Sequence, residues 1–375
     1  ICPMSALPQD FISEMQQQLG GREAAQLCCA LEEGNTPVSV RLNPNKVREA
    51  AELQSLLEGA EPVPWCQTGY YLSQRPQFTL DPLFHAGCYY VQEASSMFVE
   101  QAWREIVRRM PDAQRVLDLC AAPGGKSTLW RTLLPPEGEL VANEPDRKRA
   151  EVLNENLIKW GYCNVRVCNA YATDFAAYAP GYFDVVAADV PCSGEGMFRK
   201  DPASRDEWSL ASVEKCARLQ RTIVADVWLA LRPGGFLVYS TCTFNRQEDE
   251  ENVQWLGHHL GAEELPIAHS AEWGIEGHHH FLPGKARGEG FFLALLRKAE
   301  ESGEKCFPFP KAGKDKRMSH APQEPKSLRE WVKGDFAYVL QNDTYTAFPA
   351  AYAEHLAVLQ RHLHLLGRLH PLPAR

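Results

Sequence analysis

Between about residues 114 and 298, short apolar runs alternate with stretches that place an apolar residue every three or four positions. VLDLC (116–120), LVANE (140–144), NVRVC (164–168), FDVVAADV (183–190) and FLVYSTC (236–242) have the length and composition of buried strands. Ala150, Leu153 and Leu157 give 146–160 helical spacing, and Gly161 stands where a C-terminal cap belongs. Val213, Ala217, Leu219, Ile223 and Val227 predict a second helix over 209–231, ended by the Pro-Gly-Gly that follows. A third helix is expected from Glu248 to Leu260, its first turn rich in acids as the helix dipole favours. GFFLALLRK (290–298) reads as a last strand. Alternation of this kind predicts an α/β fold, doubly wound about a mostly parallel sheet.

The flanks have another texture. Residues 1–113 hold a helical stretch (10–31), a strand in PVSVRLNP, and LFHAGCYYVQEASSMFVEQA (83–102) leading into the sheet. This is expected to be a small α+β segment ahead of the core at 114–298. Residues 299–327, rich in Lys, Pro, Gly and Ser, read as a linker. The C-terminal region, 328–375, holds WVKGDFAYVL and a helical pattern near 350–361. Internal repeats are absent.

Composition narrows the class. The 375 residues, 45% hydrophobic and 23% charged, suit a soluble globular chain of more than one domain. No apolar stretch has the length of a membrane span and no signal peptide opens the chain, so a cytoplasmic protein without a membrane partner is expected. The 12 cysteines form no framework pattern and no C-x-x-C pair, which favours reduced thiols and argues against structural zinc. The histidines at 258–259 and 278–280 point in different directions from one element, and no metal is assigned. A net charge of −9 gives no global sign of nucleic-acid binding, leaving only local basic patches.

Two strand tips carry chemistry. VLDLCAAPGGKST places Gly124 and Gly125 after the first strand, where a ligand can approach amides at a helix N-terminus. GKST matches the end of a phosphate-binding loop, but Cys120 occupies its required first glycine, and no G-x-G-x-x-G is present. A bare turn is the plain alternative. Glu144, ending the second strand, changes that balance, because an acid there can accept hydrogen bonds from ribose hydroxyls. With Asp118 on the adjacent strand end, an adenosine ligand without a phosphate grip is implied, and S-adenosyl-L-methionine fits. In ADVPCSGEGMFRKDP (188–202), Asp189 ends the fourth strand and Pro191 turns Cys192 to the rim. Cys242 ends the fifth. One strand-end cysteine is usually a small buried hydrophobe. Two on neighbouring tips face the crevice where ligands of such sheets bind.

VLDLCAAPGGKST, DVPCSGEGMFRKDP and LRPGGFLVYSTCTFNRQEDEEN closely resemble the bacterial RNA 5-methylcytosine methyltransferases, the NOL1/NOP2/Sun family, and especially its 16S ribosomal RNA members of the RsmF type. PVSVRLNP and YYVQEASS resemble that family's amino-terminal segment, and the likeness covers roughly 35–298. The resemblance implies a class I, Rossmann-like methyltransferase sheet, an N-terminal RNA-binding segment and a PUA-like C-terminal domain, of which HLHLLGRLHPLPAR reads as the opening. It implies that Cys242 is the nucleophile and Cys192 assists release. It also implies that Cys120, Ala121, Ala122, Pro123, Gly124, Gly125, Lys126, Glu144 and Asp189 surround the cofactor.

The chemistry agrees with that assignment. Carbon 5 of cytosine becomes nucleophilic only after a thiolate adds to carbon 6, and a base must later remove the carbon 5 proton. Asp189 is expected to hydrogen-bond the base and Lys126 to support developing charge. Spacing alone does not say which cysteine attacks. The target must be unpaired or flipped out, and Arg199 and Lys200, beside Met197 and Phe198, are expected to form a lip for the strand. The family's acid after the third strand is replaced by Tyr171, with Asn169, Asp174 or a stacked Tyr171 ring as the open substitutes. A monomer acting on ribosomal RNA or a small-subunit particle is the expectation. A transfer RNA enzyme and a silent RNA-binding protein of the same fold are the alternatives.

Overall fold

The structure, a computed structural model, describes residues 7–33, 36–277, 279–300, 335–341, 344–350, 363 and 365–366. Residues 301–327 of the expected linker and 351–361 of the expected C-terminal helix lie outside the described residues.

The core strands are β1 (Arg115–Asp118), β2 (Glu139–Asn143), β3 (Val165–Cys168), β4 (Phe183–Asp189), β5 (Leu231–Thr241) and β6 (Phe291–Arg297). They lie in the order β3-β2-β1-β4-β5-β6. The first five are parallel and β6 runs antiparallel to β5. Helices α1 (Gly125–Leu133), α2 (Arg147–Trp160), α3 (Ala172–Tyr178), α4 (Leu210–Val227) and α5 (Glu250–Leu260) connect them. Alternate strand residues serve opposite faces. Val116, Leu140, Val185 and Phe236 pack with Trp130 of α1, whereas Leu117, Val141, Val186 and Leu237 pack with Val224 and Val253 on the other side. Burial on both faces explains why these strands read as unbroken apolar runs. This is a Rossmann-like, doubly wound sheet, and the strand order reverses between β1 and β4, where such sheets open a crevice.

Two expectations shift in detail. The helix ends at Val227, and the strand begins at Leu231 with the Pro-Gly-Gly inside it. Gly234 takes φ +73 and donates its N–H to the Lys298 carbonyl at 3.0 Å, while the register slips between Phe183 and Val185. The Pro-Gly-Gly is a bulge at the start of the strand, not a turn before it. The helical stretch at 10–31 is two helices, Gln9–Leu19 and Gly21–Glu32, split at Gly20 with φ +81.

The N-terminal region also forms an antiparallel sheet, with Ser39–Leu42 between Gly69–Tyr71 and Tyr89–Val91 and with Glu61–Pro62 outermost. Arg41 on its central strand is fully buried. It donates to Gln92 Oε1 (2.8 Å) and Thr128 Oγ1 (2.5 Å) and stacks over Trp160 at 4.6 Å, tying this sheet to α1 and α2. Burial draws its pKa down to about 10. After the core, Phe336–Gln341 pairs with Thr344–Pro349 as a hairpin.

Candidate active site

The cofactor side is made largely of backbone. β1 ends at Asp118, and the chain turns through Cys120–Gly124 into α1. Gly124 adopts φ +115, where a β-carbon is strained and would also meet Leu153 Cδ1 at 3.2 Å. The turn is held from below. Ala121 N–H donates to the Asn143 carbonyl (2.8 Å), Asn156 Nδ2 to Pro123 O (2.8 Å) and Arg149 to Ala122 O (3.2 Å). Asn143, at the tip of β2, donates to Leu119 O and Ala170 O and accepts from Ala170 N–H, each at 3.0 Å. One amide thus locks three neighbouring strand ends. The first-turn amides of α1 have no carbonyl partner within the helix and suit an anionic group.

The acids of this side are fixed. Asp118 accepts from Ser127 Oγ at 2.6 Å, and burial raises its pKa to about 7. Glu144 is buried beyond β2, accepts from Asp146 N–H (3.0 Å) and pairs with Arg149 (3.3 Å). About four acceptor directions belong to a carboxylate, so two remain open. Cys120 is a silent thiol, its pKa pushed up by burial and then by Asp189. At the replaced acid after β3, Asp174 is committed to capping α3 through Tyr171 N–H (2.9 Å). Asn169 donates to the Glu144 and Pro145 carbonyls, and the Tyr171 ring is 72% exposed. Asp174 uses one acceptor direction in the cap and keeps the others, and the Tyr171 side chain stands exposed.

The thiol side brings together what the strand tips promised. Parallel pairing sets Asp189 of β4 beside Ser240 of β5. Just beyond, Cys192 Sγ and Cys242 Sγ stand 3.3 Å apart. The contact with Cys242, and then burial, hold the Cys192 thiol well above the ordinary cysteine range. Asp189 accepts from Ser240 Oγ (2.9 Å) and pairs with Lys126 Nζ (2.8 Å), its side chain 32% exposed. Burial opposes the Lys126 charge, but Asp189, Cys242 and Asp118 outweigh it and raise its pKa. Lys126 therefore joins the two sides, rooted in the cofactor turn and facing the thiols across Asp189 and the Phe291 ring at 5.2 Å.

The expected RNA lip is half corrected. Arg199 is a buried pin: Nε pairs with Glu289 (2.9 Å) and the other nitrogens donate to Gly288 O (2.7 Å) and Ala30 O (3.3 Å). A cation takes that place because three acceptors converge there. Lys200 and Met197 are exposed, and Phe198 is buried. Sequence reasoning also missed Glu195, Asn245 and Glu248, whose side chains lie buried beneath the cysteine loops. A cluster of polar residues within SGE and TFNRQE was the only signal that could have found them.

Comparison with known proteins follows this geometry. The sequence profile of 16S rRNA methyltransferase RsmB/F matches residues 106–297, and that of the N-terminal domain of 16S rRNA methyltransferase RsmF matches residues 7–94. The chain belongs to this ribosomal RNA methyltransferase family. Ribosomal RNA small subunit methyltransferase F of Pectobacterium atrosepticum is 33% identical over 92% of this chain and 76% of its own. The protein of the same name from Vibrio cholerae is 34% identical over 93% of this chain and 77% of its own. Among solved structures, a methyltransferase homolog from Pyrococcus horikoshii superposes with TM-score 0.62 at 25% identity, covering 78% of this chain and all of that one. S-adenosyl-L-methionine is the cofactor of such a methyltransferase, and the Gly124–Gly125 turn, Asp118 and Glu144 suit it. Among the described residues no helix is long and apolar enough to cross a membrane, and no cluster could hold a metal ion.

Proposed function

We propose that this chain methylates carbon 5 of a cytosine in 16S ribosomal RNA, working as a cytoplasmic monomer through a covalent bond from Cys242 to carbon 6. The observation that carries this reading is the 3.3 Å approach of two thiols beside the Asp189–Lys126 pair. When bound, S-adenosyl-L-methionine supplies an electrophilic methyl group. Cys242 adds to carbon 6 as thiolate, which makes carbon 5 nucleophilic. Lys126, kept charged by Asp189, supports the charge that develops on the base during attack. Asp189, part-exposed to the crevice, orients the base by accepting from its amino edge. Cys192 holds a proton against Cys242 in the resting pair. Once Cys242 is bonded to carbon 6, Cys192 gives its proton to solvent, and its thiolate takes the carbon 5 proton as the carbon 6–sulfur bond breaks and Cys242 leaves as thiolate. Residues up to 113 and those after 328 are read as the RNA-holding parts, with Lys200 at the strand's path.

The test separates the cysteines. With labelled RNA and cofactor on a denaturing gel, Cys192→Ala accumulates a protein–RNA adduct, whereas Cys242→Ala forms none and transfers no methyl. Absence of an adduct in both variants would make Cys192 a base-positioning group. An adduct in Cys242→Ala alone reverses the roles. Methylation of transfer RNA in preference to small-subunit RNA would move the substrate and leave the chemistry standing.

A further inference from the structure

The two thiols sit on separate loops after separate strands, and Cys192 Sγ meets the sulfur and the backbone of Cys242. Their 3.3 Å spacing must be set by whatever joins those loops. The joint is a carboxylate. Glu195, three residues after Cys192, is fully buried. Its Oε2 accepts from Thr243 Oγ1 (2.6 Å) and Phe244 N–H (2.7 Å), and its Oε1 accepts from Asn245 Nδ2 and Trp208 Nε1, both at 3.0 Å. Three of those donors belong to the residues directly after Cys242. The backbone repeats the stitch, Gly196 N–H donating to the Cys242 carbonyl at 2.8 Å. A β-carbon on Gly196 would lie 2.8 Å from that same oxygen, so only glycine lets the loops approach this closely.

A second carboxylate reinforces the joint. Glu248 accepts from Ser193 N–H (3.1 Å), the residue after Cys192, and from Gln220 Nε2 (2.6 Å) and Asn245 Nδ2 (2.8 Å). Apolar side chains in these places would leave the Phe244 and Ser193 peptide N–H groups and the Trp208 indole N–H without acceptors, so the network demands acceptors. Bonds to a carboxylate are also shorter and stiffer than neutral ones. Glu195 makes no hydrogen bond to either sulfur, so its influence passes through the loops.

We propose that Glu195 is a positioning residue that sets the register of Cys192 against Cys242. The inference rests on the two-thiol reading of the reaction, in which attack and release happen at one carbon–carbon bond and displacement by about 1 Å costs roughly 100-fold.

The experiment uses the full chain and a readout that needs no RNA. Phenylarsine oxide condenses with two adjacent thiols, forming two arsenic–sulfur bonds and releasing one water. Wild-type protein should be bridged across Cys192 and Cys242, and Cys192→Ala, as control, should lose that bridge. Glu195→Gln should be bridged at least 10-fold more slowly. Its single-turnover methyl transfer should fall about 100-fold, while KM for RNA and calorimetric affinity for S-adenosyl-L-methionine stay within about threefold. Bridging and transfer both at wild-type rates in folded Glu195→Gln would overturn the proposal, as would slowed bridging with full transfer. Should Glu195→Gln fail to fold, Thr243→Val, which removes one of the four donors, decides: slower bridging supports the joint and an unchanged rate refutes it. If wild-type protein methylates no cytosine, the reading of the reaction falls while the bridging rates still judge Glu195.

Discussion

The two halves of the crevice are built from different materials. On the cofactor half, the ligand-facing surface is a turn and a helix start, with few side chains committed. On the thiol half, two thiols stand on a base of buried polar groups: Glu195, Glu248, Asn245, Gln220 and the Arg199–Glu289 pair. The cofactor half needs shape, which glycine and strand register supply locally. The thiol half needs two atoms from different strands held at fixed distance, which only long-range bonds can supply. Damage to the first should weaken a ligand; damage to the second should weaken the fold or the rate.

That contrast can be broken by substitution, and the largest effect is expected at Arg199. Arg199→Ala leaves Glu289 buried without its cation and should cost about 3–5 kcal/mol in denaturant unfolding. A loss below about 1 kcal/mol would show that the thiol half tolerates a missing pin. Glu144→Ala acts on the other half: calorimetric affinity for S-adenosyl-L-methionine should fall by about 1–3 kcal/mol, with arsenical bridging of the cysteines unchanged. Equal affinity would remove Glu144 from the cofactor site.

Acid–base behaviour gives a third comparison. Burial raises Asp118 from 3.8 to about 7, so the folded protein binds its proton more tightly than the unfolded chain does. Its contribution is therefore present at low pH and is lost as pH rises from about 4 to about 7. Asp118→Asn should flatten the stability profile over that window, read from denaturant midpoints at several pH values. An undiminished slope would assign it to Glu195, which burial likewise raises to about 7. The smallest effect is at Lys200. Lys200→Gln should cost less stability than Arg199→Ala, since Lys200 only adds to the positive field at Glu289, and should lower the salt slope of RNA binding by roughly one. An unaltered slope would place the RNA elsewhere.

The same division governs what the sequence reveals. The strands, the Gly124–Gly125 turn, Glu144 and both cysteines are legible because each is declared within a dozen neighbouring residues. Glu195 is illegible because its partners lie about fifty positions away, Thr243 being 48 residues on. Arg199 beside Lys200 reads as a basic surface run until Glu289, 90 residues downstream, is known to meet it. The Pro-Gly-Gly at 233–235 reads as a turn because local propensity favours one, whereas pairing with Lys298 draws it into the strand as a bulge. Periodicity reports burial, and it says little about which buried polar atoms will find each other.

The helix pair Gln9–Leu19 and Gly21–Glu32 bears on how this chain can be divided. Phe11 meets Phe198 and Trp208 edge-on at 5.1 and 5.7 Å, Met15, Leu27 and Leu31 complete the cluster with Phe244, and the Ala30 and Leu31 carbonyls receive Arg199 and Arg205. The amino-terminal helices are thus the outer wall of the loop that carries Cys192. Modularity stops there. A fragment trimmed to the core would expose that aromatic face, a liability for aggregation, and would free the loop that carries Cys192 on this side. Its inactivity would then reflect a lost scaffold as well as a lost substrate grip.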